Sequence, residues 1–341
     1  MTTFLASIFV FGLLIFIHEL GHFAIAKRVG IKVHEFSLGF GPNLLGVNKG
    51  GTQYSLRLLP LGGFVRMAGM EPGEEGVERH RAFYGKSVLE RAAVLFAGPL
   101  MNFVLAVILL GLVFMFQGVP SPSTVIDEVM PGTPADRAGI LAGDKLIAVD
   151  GVVMDSWQEF TVLVNSHPGQ LLNIEVERTG SNLSFDVAPE KDETGRGIIG
   201  VVTRVQSVKL NTPAALLAGA SYTGQITLLI FTFIGQMITQ QAPVDLAGPV
   251  GIVSEIGSAA KLGIWQLLQL AAFLSINLGI LNLLPVPALD GGRLLFLGVE
   301  AVRGRPVDPN KENFFHLLGF ALLLVLIVVI TYSDILNLVY K

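Results

Sequence analysis

Long apolar runs recur along the chain and predict helices that cross a lipid bilayer. Four of them are long enough to span roughly 30 Å of hydrocarbon at about 1.5 Å of helical rise per residue. These four runs cover residues 4–25, 93–117, 262–284 and 314–332. A fifth run, residues 214–238, mixes Leu, Ile and Phe with Ser, Thr and Gln. This mixture favours an amphipathic helix at the membrane surface over a fifth span.

The pattern changes between residues 121 and 206. Short alternating segments, such as 172–178 and 183–188, lie between turns that are rich in Pro, Gly and Asp. Alternation with a period of two residues predicts strands, and helical stretches are expected at about 134–138 and 156–166. These residues therefore predict a small α+β domain inserted after the second span.

Residues 53–67, QYSLRLLPLGGFVRM, alternate between polar and apolar positions around Pro60, Gly62 and Gly63. Alternation with turn residues at its centre predicts a β-hairpin beside the first span. An open edge of such a hairpin can accept an extended peptide as an added strand. An ordinary cytoplasmic hairpin without contact to a substrate is the alternative.

The composition agrees with a membrane protein. Of the 341 residues, 51% are hydrophobic and only 15% are charged, and the mean hydropathy is +0.62. The first basic residue, Lys27, follows the first apolar run, so this run is predicted to be a retained helix rather than a cleaved signal peptide. The net charge of −4 gives no indication of a nucleic-acid partner, and none is expected. The chain has no cysteine, which excludes disulfides and thiolate ligands.

The distribution of charge predicts the orientation in the membrane. Residues 27–91 contain ten Lys or Arg against six Asp or Glu, and four more basic residues lie within 293–311. Residues 121–206 contain six basic and thirteen acidic residues. The positive-inside rule then places 27–91 and 293–311 in the cytoplasm, with both termini and 121–206 outside. Four membrane spans place each of these segments on its predicted side of the membrane.

The first apolar run contains HELGH at residues 18–22, whose ionisable side chains are costly in hydrocarbon and therefore indicate a functional site. On a helix His18 and His22 share one face, so both imidazoles can bind one zinc ion. Glu19 can act on a water at the same metal as general base and acid. A cluster of polar side chains that only satisfy one another is the alternative.

A hydrolytic zinc site needs a third protein ligand and an open position for water. Asp290 lies at the end of the third apolar run, in NLLPVPALDGG, and an aspartate oxygen is an established type of zinc ligand. Taken alone, this segment is better explained as an ordinary Asp-Gly turn at a membrane edge. With HELGH present and no cysteine in the chain, Asp290 is the best candidate.

Four motifs resemble the site-2 protease family of intramembrane zinc metalloproteases, in particular its bacterial RseP type. They are HELGH at 18–22, AGPLMN at 97–102, GTPADRAGILAGDKLIAVDG at 132–151, which resembles the bacterial PDZ signature, and NLLPVPALDGG at 282–292. The resemblance covers essentially the whole chain. It implies that His18, His22 and Asp290 hold the metal and that Glu19 is the general acid and base. Enterobacterial RseP-type enzymes carry two PDZ domains in tandem, whereas this chain has one.

The resemblance also suggests which residues contact a substrate. It implies that the 53–67 hairpin re-enters the membrane and that Phe64 contacts the substrate. It supports Asn277 and Asn282 as further substrate contacts, although an interhelical hydrogen bond is the alternative for Asn277. Asn102, in AGPLMN, is expected to hold helix ends together. The other histidines lack ligand spacing and are interpreted as structural or exposed; they are His34, His80, His167 and His316.

The expected architecture is a mainly α-helical membrane protein with about four transmembrane helices, a membrane-re-entrant β-hairpin and one inserted extracytoplasmic α+β PDZ domain. Residues 1–120 would hold the first two spans and the hairpin, and 121–206 the PDZ domain. Residues 207–341 would hold the interfacial helix and the last two spans. The protein is expected in a bacterial cytoplasmic membrane, with its active site toward the cytoplasm.

The expected function is cleavage of transmembrane segments in single-pass membrane proteins, with one zinc ion per chain. An anti-sigma factor or remnant signal peptides are the expected substrates, and the PDZ domain would either exclude untrimmed substrates or bind a peptide. A non-catalytic PDZ scaffold stabilised by zinc is the main alternative, and a zinc transporter is a further one. Glu19 opposes both alternatives, because neither needs a base beside the metal.

Overall fold

The described part of this computed structural model forms two compact units. The residues it describes are 2–70, 74, 76–192, 194–239 and 248–339. One unit contains the residues up to Met115 and those from Asn211 onward, and the other is Phe116–Leu210. The predicted domain 121–206 lies within the second unit.

The secondary structure follows the sequence pattern closely in its order. The helices are α1 (Thr2–Arg28), α2 (Val88–Phe116), α3 (Pro134–Ala138), α4 (Trp157–Ser166), α5 (Thr212–Ile238), α6 (Pro249–Leu262), α7 (Ile264–Leu283), α8 (Asp290–Arg303) and α9 (Pro309–Val339). The strands are β1 (Val33–Lys49), β2 (Thr52–Met67), β3 (Val119–Val129), β4 (Lys145–Val149), β5 (Val152–Val153), β6 (Leu172–Arg178), β7 (Ser181–Val187), β8 (Glu190–Lys191), β9 (Gly197–Ile198) and β10 (Val201–Val208).

Five helices among the described residues are long and apolar enough to cross a membrane. Four of them, α1, α2, α7 and α9, correspond to the four predicted spans. The fifth, α5, is the segment predicted to lie at the membrane surface, and its length and composition also permit a span. Hydrocarbon offers no hydrogen-bond partner for a free backbone N–H or C=O group, and a helix pairs these groups within one segment. This is why the apolar segments are helical.

Local signals set the ends of the first two helices. α1 ends at Arg28, just before Gly30, which has a φ of 76° that is favourable for glycine. α2 begins earlier than the predicted residue 93, because Ser87 and Glu90 form a capping box. The Ser87 hydroxyl accepts the Glu90 N–H at 3.3 Å, and the Glu90 carboxylate accepts the Ser87 N–H at 2.9 Å.

β1 and β2 build a small sheet in which β1 is used twice. The first half of β1, residues 33–38, pairs on one side with 63–67 and on the other with 53–56. The second half, residues 43–49, pairs with 52–57. The order across the sheet is therefore 43–49, 52–57, 33–38 and 63–67.

This pairing corrects the prediction that residues 53–67 form a hairpin by themselves. Both halves are extended, as predicted, but residues 33–38 lie between them. β1 can turn back because Gly39 and Gly41 adopt φ values of 89° and 84°, which a residue with a Cβ rarely adopts. The alternation within 53–67 sets which side chains share a face but does not determine which distant strand each half joins.

The outer part of this sheet exposes a continuous set of apolar side chains. Phe40, Leu44, Leu45 and Val47 are between 47% and 69% exposed. A patch of this kind on a protein surface indicates contact with a membrane or a partner. It is compatible with the predicted re-entrant segment.

A buried apolar cluster fixes the inner part of the sheet against two helices. Val33 of β1 and Met67 of β2 pack with Ala26 of α1, Val94 of α2 and the connecting residue Ile31. These side chains are at most 4% exposed. The cluster therefore holds the 63–67 strand beside the helical turn that carries HELGH.

The inserted unit, Phe116–Leu210, is the predicted α+β domain. Its main sheet has the order β10-β3-β4-β6-β7, with β5 paired to β4. The strands expected at 172–178 and 183–188 are present as β6 and β7, and the helices expected at 134–138 and 156–166 are present as α3 and α4. The apolar faces of these elements form one core around Ile174 and Val176.

A buried carboxylate holds the loop before β4 in this domain. Asp144 accepts two hydrogen bonds of 2.7 Å from Arg178 and one of 2.9 Å from the Leu141 N–H. Burial by itself raises the pKa of the Asp144 carboxyl, but the hydrogen bonds from Arg178 and Leu141 outweigh it, so its pKa lies below the usual range.

We predict that Asp144→Asn lowers the stability of this domain at neutral pH and that the difference disappears in acid. A depressed folded-state pKa contributes stability above the unfolded value of about 4, and this contribution is lost as the pH falls through the folded value. Thermal unfolding at pH 7 and pH 3 measures it, with the exposed Asp155→Asn as control. An equal loss at both pH values would contradict the prediction.

Candidate metal centre and catalytic cavity

Three side-chain donors from distant parts of the chain converge at one point. His18 and His22 lie one turn apart on α1, and Asp290 is the first residue of α8. The Nε2 atoms of the two histidines are 3.2 Å apart. The Oδ2 atom of Asp290 lies 3.2 Å from His18 Nε2 and 3.3 Å from His22 Nε2. This is the only such cluster of three or more potential ligands found among the described residues.

The spacing of these donors suits a tetrahedral zinc site. Zinc bonds of about 2.0–2.1 Å to His and Asp place neighbouring donors of a tetrahedron about 3.3 Å apart. Asp290 Oδ2 is buried and has no partner of hydrogen-bond geometry, although both imidazoles are close. A buried oxygen without a hydrogen bond is costly, and a metal ion would satisfy it. The residues therefore fit zinc.

The imidazoles fit against α2 because of one glycine in AGPLMN. A Cβ at Gly98 would lie 2.3 Å from His22 Nε2 and 2.9 Å from His18 Cε1. Gly21, between the histidines, has the matching role on α1, since a Cβ there would lie 2.3 Å from the Ala97 carbonyl oxygen. Gly21 thus permits the close approach of α2 to α1.

Further contacts orient both imidazoles. Metal binding at Nε2 leaves the proton of a neutral imidazole on Nδ1, which must then donate away from the metal. His22 Nδ1 lies 2.8 Å from the Val94 carbonyl oxygen, which can accept this proton. His18 Nδ1 lies 3.1 Å from Asn102 Nδ2, and Asn102 Oδ1 has no partner within the described chain. Turning the Asn102 amide over exchanges these two atoms and presents Oδ1 as the acceptor for the His18 proton.

Asn102 joins helices, as expected, and it also contacts one of the candidate metal ligands. Its side chain is fully buried and links α2 to His18 of α1, and its backbone carbonyl accepts the Ser275 hydroxyl of α7 at 2.8 Å. Sequence reasoning missed the contact with His18. The available signal was a single polar residue within a very apolar span.

Glu19 lies in the cavity beside the three donors. The cavity has a volume of about 360 Å³. Its lining is His18, Glu19, His22, Phe64, Val65, Met67, Met70, Leu95, Asn282, Ala288, Leu289, Asp290 and Arg293. The backbone N–H of Val65, in β2, faces the Glu19 carboxylate. A metal-binding cluster, a carboxylate and a strand therefore share one cavity.

Phe64 lines this cavity, a position compatible with the predicted substrate contact, and two neighbours define the position of its ring. The Arg57 guanidinium is 5.1 Å from the centre of the Phe64 ring. The Phe40 ring stacks on the Phe64 ring, with 6.3 Å between the two ring centres. Glu35 binds Arg57 at 2.7 Å, so a buried carboxylate holds the cation in place.

The two asparagines of α7 have different environments. Asn282 lines the cavity, whereas Asn277 donates to the Phe273 carbonyl of its own helix at 3.0 Å and lies outside the cavity lining. Five residues turn an α-helix by about 140° beyond a full turn, so the two side chains cannot face the same site. The structure therefore brings Asn282, but not Asn277, to the candidate site.

α8 is anchored to α2 beyond Asp290. Arg91 of α2 binds Glu300 of α8 through both carboxylate oxygens, with one N–O distance of 3.0 Å, and both side chains are mostly buried. A bidentate pair of this kind fixes direction as well as distance. It holds α8, and with it Asp290, against α2, which is the helix that the two imidazoles pack against. The sequence shows that Arg91 and Glu300 are charged, but it gives no signal that these two residues form a pair.

Comparison with known proteins identifies the family. The model of peptidase family M50 matches residues 6–326. The chain belongs to peptidase family M50, the site-2 protease family. It is 38% identical to the zinc metalloprotease RasP of Geobacillus kaustophilus, over 97% of each chain. It is 35% identical to the regulator of sigma-W protease RasP of Bacillus subtilis, over 98% of each chain.

These full-length M50 relatives identify the chain as a zinc metalloprotease and confirm the family resemblance found in its motifs. Among solved structures, the chain is similar to the PDZ domain of an SdrC-like protein from Listeria innocua. The identity is 26%, the match covers 26% of this chain and 99% of that one, and the TM-score is 0.23.

We predict that the purified M50 chain holds about one zinc ion, because three protein ligands leave one position for water. His22→Phe and Asp290→Ala should each lose the zinc, as measured by elemental analysis after dialysis. Glu255→Ala, on an exposed part of α6, serves as control. Full zinc content in Asp290→Ala would exclude Asp290 as the third ligand.

Proposed function

We propose that this M50 member is an intramembrane zinc endopeptidase that cleaves transmembrane segments of single-pass membrane proteins. One observation carries the proposal. His18, Glu19 and His22 lie on a helix of membrane-spanning length, in a cavity shared with Asp290 and with a strand that, among the described residues, pairs with another strand on one side only. A scaffold or a transporter would need neither the carboxylate nor the strand.

In the proposed mechanism His18, His22 and Asp290 hold the zinc ion, which when bound polarises the scissile carbonyl and makes water more acidic. The Glu19 carboxylate accepts a proton from the attacking water and then delivers it to the nitrogen of the leaving amine. Asn102 and the Val94 carbonyl keep the imidazoles in the tautomer that leaves Nε2 free to bind. Asn282 offers its amide to the oxygen of the scissile bond or to the neighbouring substrate backbone.

A helical substrate must unwind before its peptide bond can be attacked, and its freed backbone groups then need partners. The strand 63–67 pairs with β1 on one side, and within the described residues no strand pairs with its other side. A Cβ at Gly63 would lie 3.4 Å from Glu19 Cγ, so this strand passes close to the catalytic carboxylate. The substrate would pair here as an added strand, with Phe64 against its side chains.

The proposed topology has four spans, α1, α2, α7 and α9, with α5 at the membrane surface. Both termini and the inserted domain are then outside a bacterial cytoplasmic membrane, and the catalytic site faces the cytoplasm. A fifth span through α5 would place the four basic residues of 293–311 outside, against the positive-inside rule.

The proposed substrates are anti-sigma factors or remnant signal peptides. A relative named as a regulator of sigma-W protease supports the first class. We assign the inserted domain as a PDZ domain that limits access, so that an intact ectodomain is excluded and a trimmed stub is admitted. Its acidic composition, thirteen acidic against six basic residues over 121–206, would also weakly repel acidic ectodomains.

We predict that Glu19→Gln keeps zinc but lowers cleavage by about 100-fold or more, because a general base contributes about 10²–10⁴-fold. The measurement is co-expression of each variant with tagged single-pass proteins, including anti-sigma factors from the same genome. Glu255→Gln is the matched control. Undiminished cleavage by Glu19→Gln would exclude its role as base.

We predict that Val65→Pro blocks cleavage while zinc stays bound, because proline distorts the strand that receives the substrate and removes the N–H that faces the Glu19 carboxylate. Proline at Tyr54, on the other side of residues 33–38, should have a smaller effect. Because the chain has no cysteine, single cysteines at 64–67 can also be tested for disulfide cross-links to a substrate. Cross-links at 53–56 but none at 64–67 would contradict strand addition.

We predict that replacing residues 123–204 with a short flexible linker leaves zinc binding intact and accelerates cleavage of an untrimmed substrate. Cleavage of the trimmed substrate should change little, since a barrier acts only on bulky ectodomains. Cleavage assays on the two substrates in parallel measure this. Slower cleavage of the trimmed substrate, without release of the untrimmed one, would favour peptide docking instead.

A further inference from the structure

The residue two positions before Asp290 has an unfavourable backbone conformation. Ala288 has a φ of 77°, a region that a side chain with a Cβ seldom occupies. The other two described non-glycine residues with positive φ, Asp150 and Thr179, each precede a glycine in a tight turn between strands. Ala288 instead lies between Pro287 and Leu289, in the wall of the catalytic cavity.

Helix α9 contacts this segment through two residues on one face. The His316 Nδ1 atom accepts the Ala288 N–H at 2.9 Å, and the His316 side chain is only 12% exposed. One turn later, Gly319 lies directly against Pro287. A Cβ at Gly319 would be 2.4 Å from Pro287 Cβ and 2.7 Å from its carbonyl oxygen. α9 therefore closes over Pro287 and Ala288 from one side.

The direction of the chain at Ala288 determines where Asp290 begins α8. Only Leu289 separates the two residues, and Asp290 is the first residue of the helix. If Ala288 relaxed to a negative φ, the start of α8 would swing and the Asp290 carboxylate would leave His18 and His22. The pair Arg91–Glu300 holds α8 further along and cannot by itself fix this first turn.

We propose that His316 is a positioning residue for the metal centre. Its Nδ1 holds Ala288 in the left-handed conformation and so directs the Asp290 carboxylate toward the two imidazoles. His316 does not touch the metal position; it acts through the backbone of Ala288. This inference rests on the metal-binding role proposed above for Asp290.

The test compares zinc affinities of the purified full-length chain in detergent, measured by competition with a chromogenic chelator. His316→Leu removes the acceptor, and zinc should bind about 10-fold more weakly, as is typical when a group supporting a ligand is lost. His316→Asn keeps an oxygen near the position of Nδ1, and its affinity should stay within about threefold of the parent chain, since the hydrogen bond is retained. His80→Leu, which breaks an exposed histidine–glutamate pair with Glu78, is the matched control and should change nothing.

A second pair of variants separates the conformational role from simple packing. Glycine adopts positive φ without strain, so Ala288→Gly added to His316→Leu should restore most of the lost affinity. Gly319→Ala should weaken zinc binding because its Cβ displaces Pro287, whereas Gly298→Ala, whose Cβ meets no atom within 4 Å, should not. If His316→Leu fails to fold, His316→Ala, which also removes the acceptor of the Ala288 N–H, takes its place in every comparison.

Three results would overturn the inference: parental affinity in a folded His316→Leu, equal losses in His316→Leu and His316→Asn, or no recovery with Ala288→Gly. Asp290→Ala, measured alongside, distinguishes the two levels of the argument. If Asp290→Ala loses zinc and His316→Leu keeps it, only the positioning role fails. If Asp290→Ala keeps zinc, the proposed ligand set itself fails.

Discussion

Burying three polar donors among apolar helices is the constraint on which the rest of this structure depends. Two imidazoles and a carboxylate within 3.3 Å of each other are expensive to remove from water unless something binds them all. The surrounding architecture serves this convergence. Gly98 leaves room for the imidazoles, Asn102 and the Val94 carbonyl orient them, and the Arg91–Glu300 pair holds the helix that supplies the carboxylate.

The same environment limits how a peptide bond can reach the site. A transmembrane helix hides its backbone, and an unwound segment has no water to satisfy its N–H and C=O groups. The strand 63–67 provides such groups within the cavity, and the buried cluster around Val33 and Met67 keeps it beside α1. In the proposed mechanism, substrate binding and catalysis therefore depend on the same contact between a helix and a small sheet.

Much of this organisation could be predicted because it depends on local periodicity. His18 and His22 are neighbours in any helix, and an apolar run of membrane-spanning length has few structures available other than a helix. The alternation in residues 172–178 and 183–188 likewise gave the strands of the inserted domain. Asn277 shows the limit of motif reasoning. Its spacing from Asn282 already places the two side chains on different faces of α7, and the structure agrees.

The sequence by itself determined the family, the membrane-spanning helices and the candidates for the metal ligands, since these follow from residue types and short spacings. Only the tertiary structure decided which strand residues 53–67 join, that Asn102 faces His18, and that His316 holds Ala288. Each of these depends on a contact between residues far apart in the chain. Local periodicity specifies which face a side chain occupies, whereas its partner is set by how helices and strands pack together.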